Sequence, residues 1–223
     1  MRDAHAPLKP VSRLDCPKSA GDLKLANAAS DGATCDYASA DGAQVQLRLV
    51  KLSGPPPSAL DPIEAELKAL IPPSPPKPPS PPAAPGAPGD KDQNVDINLP
   101  GISIHAGDKQ ANVKVGGVTV DADDDHDRST VRVGPGPGHG GGVTVDANDG
   151  GAIIRAEKMG PDVRSTFIVA TDNPGPEGWR VVGYEARGPK SGPLVVAVVK
   201  SKSEDRDHLF DDAKRLVRDT AGG

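Results

Sequence analysis

The chain has 223 residues, of which 35% are hydrophobic and only 2% aromatic, with 25 prolines and 26 glycines, so core-forming residues suffice for one large or two small domains. The net charge of minus 5 arises in residues 94–150, where nine acids face four bases. No segment has the clustered Lys and Arg that a phosphate backbone requires, which argues against a nucleic-acid partner.

The N-terminal stretch MRDAHAPLKPVSR lacks the apolar core of a secretory signal. Cys16 and Cys35, the two cysteines, suit a single disulfide in an oxidising compartment, although two free thiols in a cytoplasmic protein look the same in sequence. The expectation is a Cys16–Cys35 pair in a periplasmic or secreted protein, with any signal peptide absent from the given chain.

Leu23 to Ala28, Ala33 to Ala38 and Gln44 to Leu52 alternate as strands do, with Ser30-Asp31-Gly32 and Ala40-Asp41-Gly42 as turns. After Pro55 to Pro57, Asp61-Pro62-Ile63-Glu64 reads as an N-cap followed by proline at the first helical position and an early acid. Leu60, Ile63, Leu67 and Leu70 fall on one helical face, which predicts a helix lying over its own three-stranded meander.

Pro72 to Gly89 holds ten prolines and reads as polyproline II, roughly 55 Å long if extended at about 3.1 Å per residue; a spacer is favoured over a ligand for a proline-reading domain. Residues 94–156 then repeat short strands of β-branched residues separated by glycines: Val95 to Leu99 with Ile102 to Ile104, Val113 to Val115 with Val118 to Val120, and Val131 to Val133 with Val143 to Val145. A small stacked β arrangement follows, with disorder as the competing reading.

Thr166 to Ala170, Trp179 to Ala186 and Leu194 to Lys200 read as three further strands, and Asp207 to Arg218 as a helix with an apolar stripe of Leu209, Ala213, Leu216 and Val217. Lys51 to Leu60 spans the same interval as Lys200 to Leu209. The expected fold class is therefore α+β: two strand-strand-strand-helix halves, pairing as one antiparallel sheet with two helices on one face, plus a Gly-rich β-repeat insert. The expected divisions are 1–71 for the first half, 72–93 for the linker, 94–156 for the acidic repeats and 157–223 for the second half. All five aromatics, Tyr37, Phe167, Trp179, Tyr184 and Phe210, lie in the two halves.

The chemical motifs are sparse. Gly136-Pro-Gly138-His-Gly140-Gly141 has the glycine density of a phosphate loop but leads into a strand, without the helix dipole that binds anions. Asp121, Asp123, Asp125 and Asp127 are candidate divalent-metal ligands, but their loop lacks the glycine and the terminal bidentate acid of a calcium loop, with Arg132 at the latter place. His105, His126 and His139 have no metal-ligand spacing. No catalytic residue and no cofactor site is expected. The longest apolar run, Leu194 to Val199, is far short of the ~20 residues of a membrane span. The composition favours a non-catalytic cell-envelope interaction or scaffold protein whose acidic segment meets a cationic protein partner. A weak divalent-metal-binding protein or an enzyme of unassigned class is the alternative.

Overall fold

The structure is a computed structural model and describes residues 8, 10–71, 95–99, 102–107, 110–115, 118–123, 128–133, 140–148, 151–203 and 207–221. In chain order the elements are β1 (Ser19–Ala20), β2 (Leu23–Ala28), β3 (Thr34–Ala38), β4 (Gln44–Val50), α1 (Pro56–Leu70), β5 (Val95–Leu99), β6 (Ile102–Gly107), β7 (Gln110–Val115) and β8 (Val118–Asp123). They continue with β9 (Arg128–Val133), β10 (Gly140–Asn148), β11 (Gly151–Met159), β12 (Asp162–Thr171), β13 (Val181–Pro189), β14 (Leu194–Ser201) and α2 (Asp207–Thr220). The protein is mostly β with some helix.

Ten strands form one antiparallel sheet in the order β1-β2-β3-β4-β14-β13-β12-β11-β10-β9, and β5 to β8 form a separate four-stranded meander. The first and last thirds of the chain meet where β4 pairs with β14, Leu47 opposite Ala197 and Val45 opposite Val199. The acidic segment is divided between the sheets: β9 and β10 extend the large one, and residues 156 and 157 both lie within β11. Val145 of β10 and Ile154 of β11 are accordingly buried in the main core.

The two helices lie on opposite faces of the sheet, not on one. Phe210, Ala213, Leu216 and Val217 of α2 join the cluster that holds Cys35, Tyr37, Val45, Leu47, Val195, Ala197 and Val199. Leu60, Ile63 and Leu67 of α1 join the other cluster, with Val163, Phe167, Val182, Tyr184, Val196 and Val198. The reason lies in side-chain alternation. Every residue from Leu194 to Val199 is buried, and a strand that is apolar at consecutive positions must be covered on both faces.

The same rule moves α1 away from its own meander. β4 alternates Val45 and Leu47 on the α2 face with Gln46 and Arg48 on the other, and β3 alternates Cys35 and Tyr37 with Asp36 in register. The polar face is tied together by hydrogen bonds from Gln46 Nε2 to Asp36 Oδ1 (2.6 Å) and from Arg48 Nε to Gln46 Oε1 (2.5 Å). Apart from Val50, which borders the α1 cluster, that face of the strands is polar, so the helix packs mainly on β12 and β13. It is also linked to the first meander by the two-pronged pair of Arg48 with Glu66, at 2.8 and 3.0 Å.

α1 also begins earlier than the Asp61-Pro62 signal predicts. Pro56 stands at the first turn, the Ser58 N–H donates to Pro55 O at 3.1 Å, and Pro62 falls inside the helix. Pro55 to Pro57 already have φ restricted near the helical value, so they start the helix nearly two turns upstream. On the opposite face, Gly183 lets α2 approach closely: a Cβ there would stand 2.3 Å from Phe167 O and 3.0 Å from Phe210 Cζ.

Since Ile154 is fully buried and sits in the same cluster as Leu47 and Phe210, Ile154→Ala is expected to cost about 2–5 kcal/mol of global stability. Urea unfolding followed by Trp179 fluorescence measures this; a cost below ~1 kcal/mol would show that β11 lies outside the cooperative core.

Candidate functional site

Of the residues singled out by sequence, Cys16 and Cys35 come together. Their sulfurs are at disulfide distance, the Cα atoms are 5.9 Å apart, and Cys35 is buried in β3. The pair fastens an N-terminal arm across the α2 side of the sheet. Leu14 N–H donates to Gly32 O at 2.8 Å, Thr220 Oγ1 donates to Asp15 O at 3.4 Å, and Leu8 N–H donates to Asp162 Oδ1 at 3.1 Å. The arm thus runs from β3 past the end of α2 to the start of β12.

Asp121 and Asp123 stand in β8, in register with Asn112 and Gln110 of β7; Asp125 and Asp127 lie outside the described residues. His105 stands in β6 opposite Asp96 of β5, whereas His126 and His139 lie outside the described residues, as does the glycine-rich run up to residue 139. Among the described residues no three His, Cys, Asp or Glu side chains are grouped to hold a metal ion, and no helix is long and apolar enough to cross a membrane.

Two polar clusters that sequence did not reveal stand beside the helices. The first is centred on Glu64 of α1. Its Oε2 accepts from Lys68 Nζ (3.1 Å) and from Arg155 Nη2 (2.9 Å) and Nε (3.3 Å), and its Oε1 accepts from the Tyr184 hydroxyl (3.2 Å). Tyr184 lies 3.3 Å from Ser165 Oγ; since the phenol donates to Glu64, the serine hydroxyl donates to the phenol oxygen. Arg155 and Lys68 also lie over the Phe167 ring, at 4.9 and 5.4 Å from its centroid.

The ionisation of this cluster is strongly set. Burial alone raises the Glu64 pKa, but hydrogen bonds and charge from Arg155 and Lys68 outweigh it and hold the carboxyl below its ordinary value. Burial, with the neighbouring Glu64 charge, pushes the Tyr184 phenol well up. An acid held ionised beside a phenol held protonated neither gives nor takes a proton near neutrality. The arrangement secures α1 on β11, β12 and β13 and keeps the buried Tyr184 hydroxyl paired.

The second cluster lies on the α2 face. Glu185 of β13 accepts a hydrogen bond from Thr166 Oγ1 and has Lys214 Nζ of α2 4.0 Å away. Burial raises its pKa, against the lowering by Thr166, Lys214 and Arg164. Nearby, Asp212 of α2 accepts the Asp22 N–H at 3.0 Å. At Gly21, with φ +58°, a Cβ would fall 2.0 Å from the Asp212 carboxylate, so the β1–β2 turn seats directly on the helix. The phenol of Tyr37, in the same core, is pushed up to about 12 by burial and then by Asp15, and its oxygen is buried without a hydrogen-bond partner among the described residues.

With this geometry in place, the chain was compared with known proteins: no protein-family model, no curated protein and no solved structure matches it.

The raised pKa of Glu185 gives a sign for stability. Between the ordinary carboxylate value of 4.5 and its raised value, the folded state binds more protons than the unfolded one, so Glu185 lowers stability as pH rises through that window. Glu185→Gln keeps a neutral hydrogen-bonding side chain and removes this loss. Its stability relative to wild type is expected to improve from pH 4 to pH 7 in urea titrations; an unchanged or worsening difference would contradict the assignment.

Proposed function

We propose that the protein is a non-catalytic interaction or scaffold protein of the cell envelope, periplasmic or secreted, in which the two strand-strand-strand-helix halves form a platform and the acidic, Gly-rich segment recruits a cationic protein partner. The observation that carries this reading is the route of the acidic segment. It leaves the framework after α1 and returns through β9 and β10 into the same ten-stranded sheet, so its excess charge is anchored at its C-terminal end to a sheet covered by a helix on each face. Anchored charge acts on a partner through long-range attraction, which salt weakens once the Debye length falls to about 8 Å at physiological strength. The clusters at Glu64 and Asp212 support the non-catalytic part of the reading, because their acids are bound to groups that hold the helices in place. The Cys16–Cys35 pair supports an oxidising location.

The test uses the full chain and a variant in which Asp121, Asp123, Asp124, Asp125 and Asp127 are all changed to Asn, which removes charge and leaves the described strand pairings available. Both are used to capture partners from an envelope extract and a cytoplasmic extract, at low and high salt. The expected result is a basic partner from the envelope extract, captured at low salt by the wild type and lost in the variant. Equal capture by the variant, or capture indifferent to salt, would contradict the role of the acidic segment.

A further inference from the structure

On the α2 face, three basic side chains stand in one row across three adjacent strands. Lys158 of β11 is in register with Arg164 of β12, and Arg164 with Arg187 of β13. They share the face of Ile154, Ile168 and Val181, because each is an even number of residues from one of these along its strand. Like charges directly opposite one another in a sheet destabilise it, and here two such pairs are consecutive.

Among the described residues none of the three forms an ion pair or a side-chain hydrogen bond, Glu185 and Asp162 on the same face offset the charge of Arg164 and Arg187 only in part, and Arg187 Nε is buried with its N–H unsatisfied. The acids of this region have other partners as well. Asp162, one step along the same face, accepts the Leu8 N–H; Glu185, one step the other way, accepts from Thr166 and faces Lys214; Asp219 is beside Arg218 at 3.6 Å. The guanidinium of Arg187 is held below its ordinary pKa by burial and then by Arg164, with Arg218 of α2 adding to the same effect and Asp162 opposing it. Lys158 and Arg164 are exposed, so the row is open to a ligand. Two residues beyond Arg187, Pro189 joins Leu8, Pro10, Pro161, Lys190 and Ser191 in lining an open cleft.

We propose that the Lys158–Arg164–Arg187 row is a binding site for a small anion carrying two or more phosphate or carboxylate groups. Two strand spacings of roughly 4.8 Å separate its ends by about 10 Å, a span wider than one oxyanion. Arginines offer planar, two-pronged donors to such groups, and a bound anion cancels the repulsion along the row. The site is distinct from the acidic segment and takes a ligand of opposite sign.

Calorimetric titration of the full chain at low salt tests the site, with inorganic tripolyphosphate for the phosphate class, citrate for the carboxylate class and orthophosphate as a single oxyanion. Saturable one-to-one binding of tripolyphosphate, citrate or both is expected, and whichever binds names the class. Orthophosphate is expected to bind at least about tenfold more weakly, and Arg164→Gln, Lys158→Gln and Arg187→Gln each to weaken binding by about tenfold, the loss of one charge-assisted hydrogen bond. Lys24→Gln, at an exposed lysine of β2, is the control and is expected to bind as wild type. The exposed Arg164 and Lys158 variants keep the test valid if Arg187→Gln fails to fold. The proposal is overturned if neither multivalent anion binds, if orthophosphate binds as well as they do, or if Lys24→Gln weakens binding as much as Arg164→Gln.

Discussion

β14 is apolar on both faces and lies between β4 and β13, and the rest of the architecture follows from the need to cover it. Its odd-numbered residues, Val195, Ala197 and Val199, require a layer on one side; Leu194, Val196 and Val198 require one on the other. A single helix cannot serve both. The protein supplies α2 from the chain end that follows β14 and α1 from the chain segment that precedes it by more than a hundred residues. Each helix therefore closes a core to which the other part of the chain contributes: α1 rests on β12 and β13, and α2 covers Leu23, Tyr37, Val45 and Leu47 of the first meander. Burying apolar side chains of this size stabilises by roughly 1.5–3 kcal/mol each, so neither meander retains a complete core without the other.

The polar groups at these interfaces reinforce the same division. Arg155 comes from β11 and Tyr184 from β13, yet both bind Glu64 of α1. Asp212 of α2 takes an N–H from the β1–β2 turn, and the arm fastened by Cys16 and Cys35 lies against the end of α2 through Asp15 and Thr220. Buried acids of this kind cost stability if their partners are removed, so they favour one way of docking each helix. Surface ion pairs such as Lys68 with Glu64 add little by themselves; the less exposed Arg155 and Tyr184 partners matter more.

Much of the secondary structure was legible because local patterns and tertiary context agree. Leu23–Ala28 and the start of α2 at Asp207 fall where alternation and helical periodicity place them, and the Cys16–Cys35 approach is the one of two readings, disulfide or free thiols, that even number and short spacing favour. The placement of α1 was legible only in part. The polar positions Asp36, Gln46 and Arg48 already state that one face of the first meander is uncovered, and the continuous run Leu194 to Val199 states that β14 needs two covers. Equal loop spacing in the two halves conceals this, because it carries no information about which face a helix takes. The clusters at Glu64 and Lys158–Arg164–Arg187 were not legible at all. Glu64 is an ordinary acid beside a helical stripe until Arg155, 91 residues away, is brought to it, and the basic row exists only once three strands are in register.

The claim that the two meanders share one cooperative unit through crossed helices is tested most directly by native-state hydrogen exchange on the wild type and on Leu67→Ala. Leu67 is fully buried on α1 and belongs to the cluster built mainly on β12, β13 and β14. If the halves are interdependent, amides of β3 and β4 and amides of β12, β13 and β14 open with the same free energy, and Leu67→Ala lowers both sets equally, by about 2–5 kcal/mol. Loss of protection confined to β12, β13 and β14, with β3 and β4 unchanged, would contradict it.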